Sequence, residues 1–159
     1  MAVRSRRDSV RGMDAPYRYI ACCIDRSEAS KGVLVEATRL RSLGPGRLSI
    51  VHASDWGIYY GAYPGVVTID PESIRSDSRQ WLDEVVAATP GSEGVLLDGY
   101  PAAVACEWAE REGVDLMIAS SSRGLVERVL LGSFAGYLAR HAPCSVLLTR
   151  PVVEAATVS

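Results

Sequence analysis

The sequence predicts an α/β fold: a single domain with a five-stranded, mostly parallel sheet and helices on both faces. Two observations carry this. Five short apolar runs alternate with four longer segments whose apolar residues recur at helical spacing. The strand-like runs are mainly apolar rather than alternating, the pattern of strands covered on both sides.

The elements follow in order. Residues 1–16 are polar, Arg-rich and without period, and read as a disordered N-terminal arm. Translation from Met13 is an alternative start, since ordered structure is expected from Tyr17. Tyr19 to Ile24 reads as a central strand closed by Asp25. Ser27 is expected to cap the next helix by accepting from first-turn amides, with Glu28 suited to the positive dipole end. Val33, Leu34, Ala37 and Leu40 mark its apolar face, and Gly44-Pro45-Gly46 stops it.

Leu48 to Ala53 reads as the second strand. Residues 55–71 are irregular, with Trp56, Tyr59, Tyr60 and Tyr63 among glycines and prolines. This loop is either a packing cover or a ligand-contacting segment. Pro71 opens a second helix with Ile74, Trp81, Leu82 and Val85 on its apolar side. Thr89 to Gly94 reads as a turn and Val95 to Leu97 as a short edge strand. Gly99-Tyr100-Pro101 leads into a helix from Ala102 to Glu112 whose expected buried stripe is Val104, Trp108 and Ala105, and Gly113 ends it. Val114 to Ala119 reads as the fourth strand. A helix from Phe134 to His141 and a strand from Cys144 to Thr149 complete the domain, which spans 17–151 and leaves a flexible tail at 152–159.

Composition narrows the function. The 159 residues hold 17 Lys+Arg against 19 Asp+Glu, so no net charge draws the chain to nucleic acid or an anionic membrane. No apolar run is long enough to span a bilayer. Cys22, Cys23, Cys106 and Cys144 form no CxxC pair and are not spaced with His52 or His141 as zinc ligands. They read as buried reduced thiols of a cytoplasmic protein.

The chemistry concentrates at the end of the fourth strand. Ile118-Ala119-Ser120-Ser121-Ser122-Arg123-Gly124 leaves that strand, and Gly132-Ser133-Phe134 opens the last helix. A small-residue loop followed by a helix N-terminus is a setting for phosphate, because free backbone amides and the positive dipole end face the anion. In a doubly wound sheet, ligands bind at the carboxyl ends of strands where the strand order reverses. Asp25, Ala53 and Ala119 all lie at such ends. Asp25 reads equally as a ligand contact or as a turn-forming residue. No nucleophile–base pair with an orienting partner is evident, so an efficient enzyme is not indicated; slow nucleotide hydrolysis is the most the residues suggest.

These segments together resemble the universal stress protein family. The likeness runs from Tyr17 to Arg150 through Ile24-Asp25-Arg26-Ser27-Glu28-Ala29-Ser30, Val51-His52-Ala53, Gly99-Tyr100-Pro101, Leu130-Leu131-Gly132-Ser133 and Arg140-His141-Ala142-Pro143-Cys144-Ser145-Val146-Leu147. It implies a Rossmann-like fold of the adenine nucleotide alpha hydrolase kind. It also implies an adenine nucleotide ligand (ATP, AMP or cAMP), with or without Mg2+. By resemblance the binding residues are Cys23, Ile24, Asp25, Ala53, Ile118, Ala119, Ser121, Ser122, Arg123, Gly132, Ser133 and Phe134. The resemblance further implies a homodimer paired through the last strand, Cys144 to Arg150.

The chain departs from the family's ATP-binding pattern Gly-x2-Gly-x9-Gly-[Ser/Thr]. Gly132-Ser133 fills the last pair, but Ser122 and Ala119 stand where the first two glycines belong. A two-residue deletion would instead bring Gly124 and Ser121 into those slots. A non-glycine residue at a position needing positive φ costs roughly 1–2 kcal/mol. The serine hydroxyls and Arg123 offer phosphate contacts in compensation. The alternative expectation is a member that binds no nucleotide and acts through dimerisation and protein partners.

Overall fold

The computed structural model describes residues 15–55, 70–121 and 131–150. Among them, five strands and four helices alternate: β1 (Tyr19–Cys23), α1 (Ala29–Arg41), β2 (Arg47–Ser54), α2 (Pro71–Ala87), β3 (Glu93–Asp98), α3 (Pro101–Glu112), β4 (Leu116–Ser120), α4 (Ser133–His141) and β5 (Ser145–Thr149). The strands form one sheet in the order β3-β2-β1-β4-β5, and every pairing is parallel. The chain builds outward from β1 to β3, then crosses back to lay β4 on the other side of β1. The strand order therefore reverses between β1 and β4.

Strand periodicity sorts the core into two layers. Tyr19, Ala21, Cys23, Met117 and Ala119 face α3 and α4, where Ala105, Trp108, Ala109 and Leu138 meet them. Ile20, Cys22, Leu116 and Ile118 face the other way, onto Val33 and Ala37 of α1 and Leu82 of α2. The first layer is rich in alanine, which lets its helices approach the sheet closely. The second is filled by branched side chains.

Local chemistry sets the boundaries. Asp70 caps α2 by accepting from the Glu72 amide at 3.1 Å, with Pro71 in the first turn. Gly113 ends α3 in the left-handed region at φ 71°, which an L-residue resists. At the amino ends of the strands, Asp115 accepts from the amides of Arg18 and Tyr19, both at 2.9 Å, and so aligns β1 with β4.

Several expectations need correction. Ser27 does not cap α1: Glu28 occupies the cap position without a side-chain bond, and the Ser27 hydroxyl is spent on Asp25. β3 is longer than expected and takes in Glu93 and Gly94, because pairing with Ser49 and Ile50 draws them into the sheet. Val104 is only half-buried; Ala102, Ala105, Cys106, Trp108 and Ala109 form the buried face of α3. Cys144 lies one residue before β5. The alternative start at Met13, the aromatic loop 56–63 and the tail 152–159 lie outside the described residues, as does the arm up to residue 14.

Candidate functional site

The ladder between β1 and β4 ends at Cys22↔Ile118. On the outer sides, pairing continues past this level: the Ile24 amide donates to Val51 O at 2.9 Å, and the Ser121 amide to Thr149 O at 2.8 Å. β1 holds to β2 while β4 holds to β5, so the two central strands part at their carboxyl ends. A pocket opens there, at the point where the strand order reverses. Cys23, Ile24 and Asp25 line it from β1 and the turn after it, and Val51, His52 and Ala53 from β2. Ala119 and Ser120 contribute from β4, Ser27 and Ser30 from the start of α1, Pro101 and Ala105 from α3, and Phe134 from α4.

Asp25 is held firmly. Its Oδ1 accepts from the Ser27 amide at 2.9 Å, the Ser27 hydroxyl at 2.5 Å and the Ser30 hydroxyl at 3.0 Å. Its own amide donates to Ser30 Oγ at 2.9 Å. Asp25 is thus a turn-forming residue that also lines the pocket.

His52 is built into the wall. Its Nδ1 lies 3.1 Å from the Ile24 carbonyl, which can only accept, so Nδ1 carries the hydrogen. The ring meets Trp81 edge-on at 4.9 Å, and the Arg26 guanidinium covers the same indole at 5.3 Å while pairing with Asp77 at 2.5 Å. This chain of contacts ties the β1 turn to α2.

The phosphate-loop expectation meets a specific obstacle. The Ser121 amide is committed to Thr149 O, and the Gly132 amide donates to Ser121 O at 2.9 Å. Neither of these amides points to an anion. Among the described residues, the next backbone donors are those of the first turn of α4, which has no side-chain cap.

Of the expected binding residues, Cys23, Ile24, Asp25, Ala53, Ala119 and Phe134 gather at the pocket. Ile118 does not: strand alternation turns it to the opposite layer, where it is fully buried. Ser121, Gly132 and Ser133 flank the lining without belonging to it, and Ser122 and Arg123 lie outside the described residues. Ser120, expected as a phosphate donor of the loop, lines the pocket, while sequence reasoning missed Ser27, Ser30, Val51, His52, Pro101 and Ala105. The Asp25–Ser27–Ser30 spacing was a usable signal for two of them; no local pattern announces Pro101 and Ala105, which arrive by packing of α3.

Among the described residues, no group of three or more His, Cys, Asp or Glu is placed to hold a metal ion, and no helix is long and apolar enough to cross a membrane. Burial pushes the Cys23 thiol up to about 12 and the Cys144 thiol up to about 11, far from the reactive range.

An open parallel sheet with a crevice at its strand-order reversal defines a doubly wound α/β domain, an architecture in which ligands generally bind at the carboxyl edge. A profile of the universal stress protein family matches residues 16–150, and the chain belongs to that family. It is 29% identical to universal stress protein Sll1388 of Synechocystis over 162 aligned positions, covering 84% of this chain and 98% of that one. A relative from Staphylococcus haemolyticus that bears the family name is 30% identical over 140 positions, covering 84% and 85% of the two chains. Solved structures share the fold. UspA from Lactobacillus plantarum superposes with a TM-score of 0.62 at 23% identity, covering 86% of this chain and 100% of that one. A universal stress protein in complex with cAMP gives 0.59 at 21% identity, covering 84% and 96%. An Arabidopsis thaliana family member with AMP bound gives 0.57 at 16%, covering 83% and 90%.

Proposed function

We propose that this universal stress protein is a stress-response or regulatory protein that binds an adenine nucleotide in the crevice between β1 and β4. One observation carries the reading: the central strands part at the strand-order reversal, and the opening combines apolar walls with an anchored carboxylate. Ile24, Val51, Ala53, Ala105 and Phe134 offer surface for a base. Asp25 can accept only, which suits a sugar hydroxyl. Ser120 and the first turn of α4 supply donors for phosphate. Two structurally similar proteins carry cAMP and AMP, which supports the ligand class. Mg2+ in this reading takes its ligands from phosphate oxygens and water rather than from a protein cage.

The test begins with the protein as purified. It is unfolded and filtered, and the released small molecules are identified by mass spectrometry; the protein is then titrated with ATP, AMP and cAMP. A released or saturably bound adenine nucleotide supports the reading. No release and no binding would overturn it.

The engaged amides of Ser121 and Gly132 favour a second reading, a member that binds no nucleotide and acts by dimerisation and protein contact. In either reading we propose a homodimer through β5 and its flanks, Cys144 to Arg150. Val146, Leu147 and Leu148 are half-buried on this edge strand, and an apolar edge is a template for strand pairing. Light scattering that gives a monomeric mass across a broad concentration range would refute the dimer. The reading sets the protein in the cytoplasm, where its four unpaired thiols stay reduced.

A further inference from the structure

We infer that Ser27 and Ser30 are positioning residues for the ligand, acting through Asp25. The inference rests on the nucleotide reading of the crevice. Helix-start serines ordinarily spend their hydroxyls on the free amides of the first turn. Neither does so here. Ser27 Oγ and Ser30 Oγ both donate to one oxygen of Asp25, at 2.5 and 3.0 Å. Ser30 Oγ also accepts from the Asp25 amide at 2.9 Å. The Ser30 hydroxyl therefore closes a ring onto backbone and side chain of one residue, and that residue lines the pocket. Ser30 is itself buried, at 7% exposure, so water does not replace its bonds cheaply.

Three donors on Oδ1 fix the rotation of the Asp25 side chain before any ligand arrives. A carboxylate with a fixed rotation binds without the entropy cost of ordering it. The α1 start therefore stays without a side-chain cap, and its two hydroxyls serve the pocket instead.

A double-mutant cycle with AMP as the probe tests this. Ser30→Ala, Asp25→Ala and the double variant are titrated by calorimetry, and each is melted in parallel. Ser30→Ala is expected to weaken AMP binding on the order of tenfold in the wild-type background and less than about twofold in the Asp25→Ala background. Ser27→Ala, at a half-buried position, follows the same pattern and serves if Ser30→Ala does not fold. Unchanged affinity with a lowered melting temperature would make the serines purely structural and overturn the inference. Equal losses in both backgrounds would mean direct contact with the ligand and would overturn it too. If the wild-type chain binds none of ATP, AMP or cAMP, the nucleotide reading itself falls, and the inference with it.

Discussion

Cys23 and Ala119 stand opposite each other one position beyond the last paired residues of β1 and β4, and both line the crevice. Their small side chains face the alanine-rich layer under α3 and α4. The opening is thus made by two things together: the parting of the strands and the absence of bulk at their ends. Filling it tests whether it is a binding site. Ala53 is half-buried at the end of β2 and lines the same pocket. Ala53→Trp is expected to lower adenine-nucleotide affinity by at least about tenfold with little change in melting temperature. Undiminished affinity in titration would move the ligand elsewhere.

Asp115 clamps the opposite end of the same two strands. It accepts from two consecutive amides, and its own amide donates to Tyr19 O at 3.1 Å. Asp115→Ala leaves those donors to water and is expected to cost about 1–3 kcal/mol in urea unfolding. Nucleotide affinity should be unchanged, because the clamp lies at the far end of the strands from the crevice.

Glu93 gathers three donors on Oε1: Ser49 at 2.9 Å, Arg47 at 2.7 Å and Tyr19 at 3.3 Å. The Ser49 hydrogen bond, aided by Arg47, holds its carboxyl below the ordinary 4.5. A depressed folded-state value means stability that is present above the unfolded value and lost as pH falls through the folded one. Glu93→Gln is expected to lower stability at pH 7 by about 0.5 kcal/mol, since the Arg47 pair is half-exposed. The gap to wild type should narrow below pH 4.5 and close in stronger acid, read as urea midpoints along a pH series.

Gly99 joins β3 to α3 at φ 125°, and a Cβ there would meet Val104 Cγ1 at 2.9 Å. Gly91 has φ 78° with nothing within 4 Å. Both resist L-residues, but only Gly99 adds a clash. Gly99→Ala is expected to cost about 1–3 kcal/mol and Gly91→Ala about 1 kcal/mol, compared in one denaturation experiment. Equal costs would show that α3 yields at Val104.

Burial pushes all four thiols up, Cys22 and Cys23 most strongly. At pH 7 a thiol-specific disulfide reagent is expected to label the folded chain slowly at every cysteine and to label all four quickly in denaturant. Fast labelling of Cys144, the half-buried one, would reveal local opening ahead of β5.

Much of this architecture is legible in the chain. Apolar runs such as Leu116 to Ala119, set between helical repeats, specify a parallel sheet because only strands covered on both faces bury every residue. Gly113 and Pro71 mark their helix ends because their backbone limits are local properties. The place of Asp25, Ala53 and Ala119 at the pocket is legible because the carboxyl end of a strand follows from its direction alone. What tertiary structure decided lies elsewhere. Whether Ser27 caps a helix or braces Asp25 depends on which acceptor packs within reach. Whether the Ser121 and Gly132 amides face an anion depends on Thr149, which β5 brings alongside from far down the chain. The family resemblance implies Ile118 as a binding residue, but the two-residue strand period sends it to the opposite layer. Pro101 and Ala105 reach the crevice only because α3 packs over β2 and β3. Sequence period and turn chemistry are short-range and fix the elements; hydrogen-bond partners drawn from distant strands exist only after the sheet has formed.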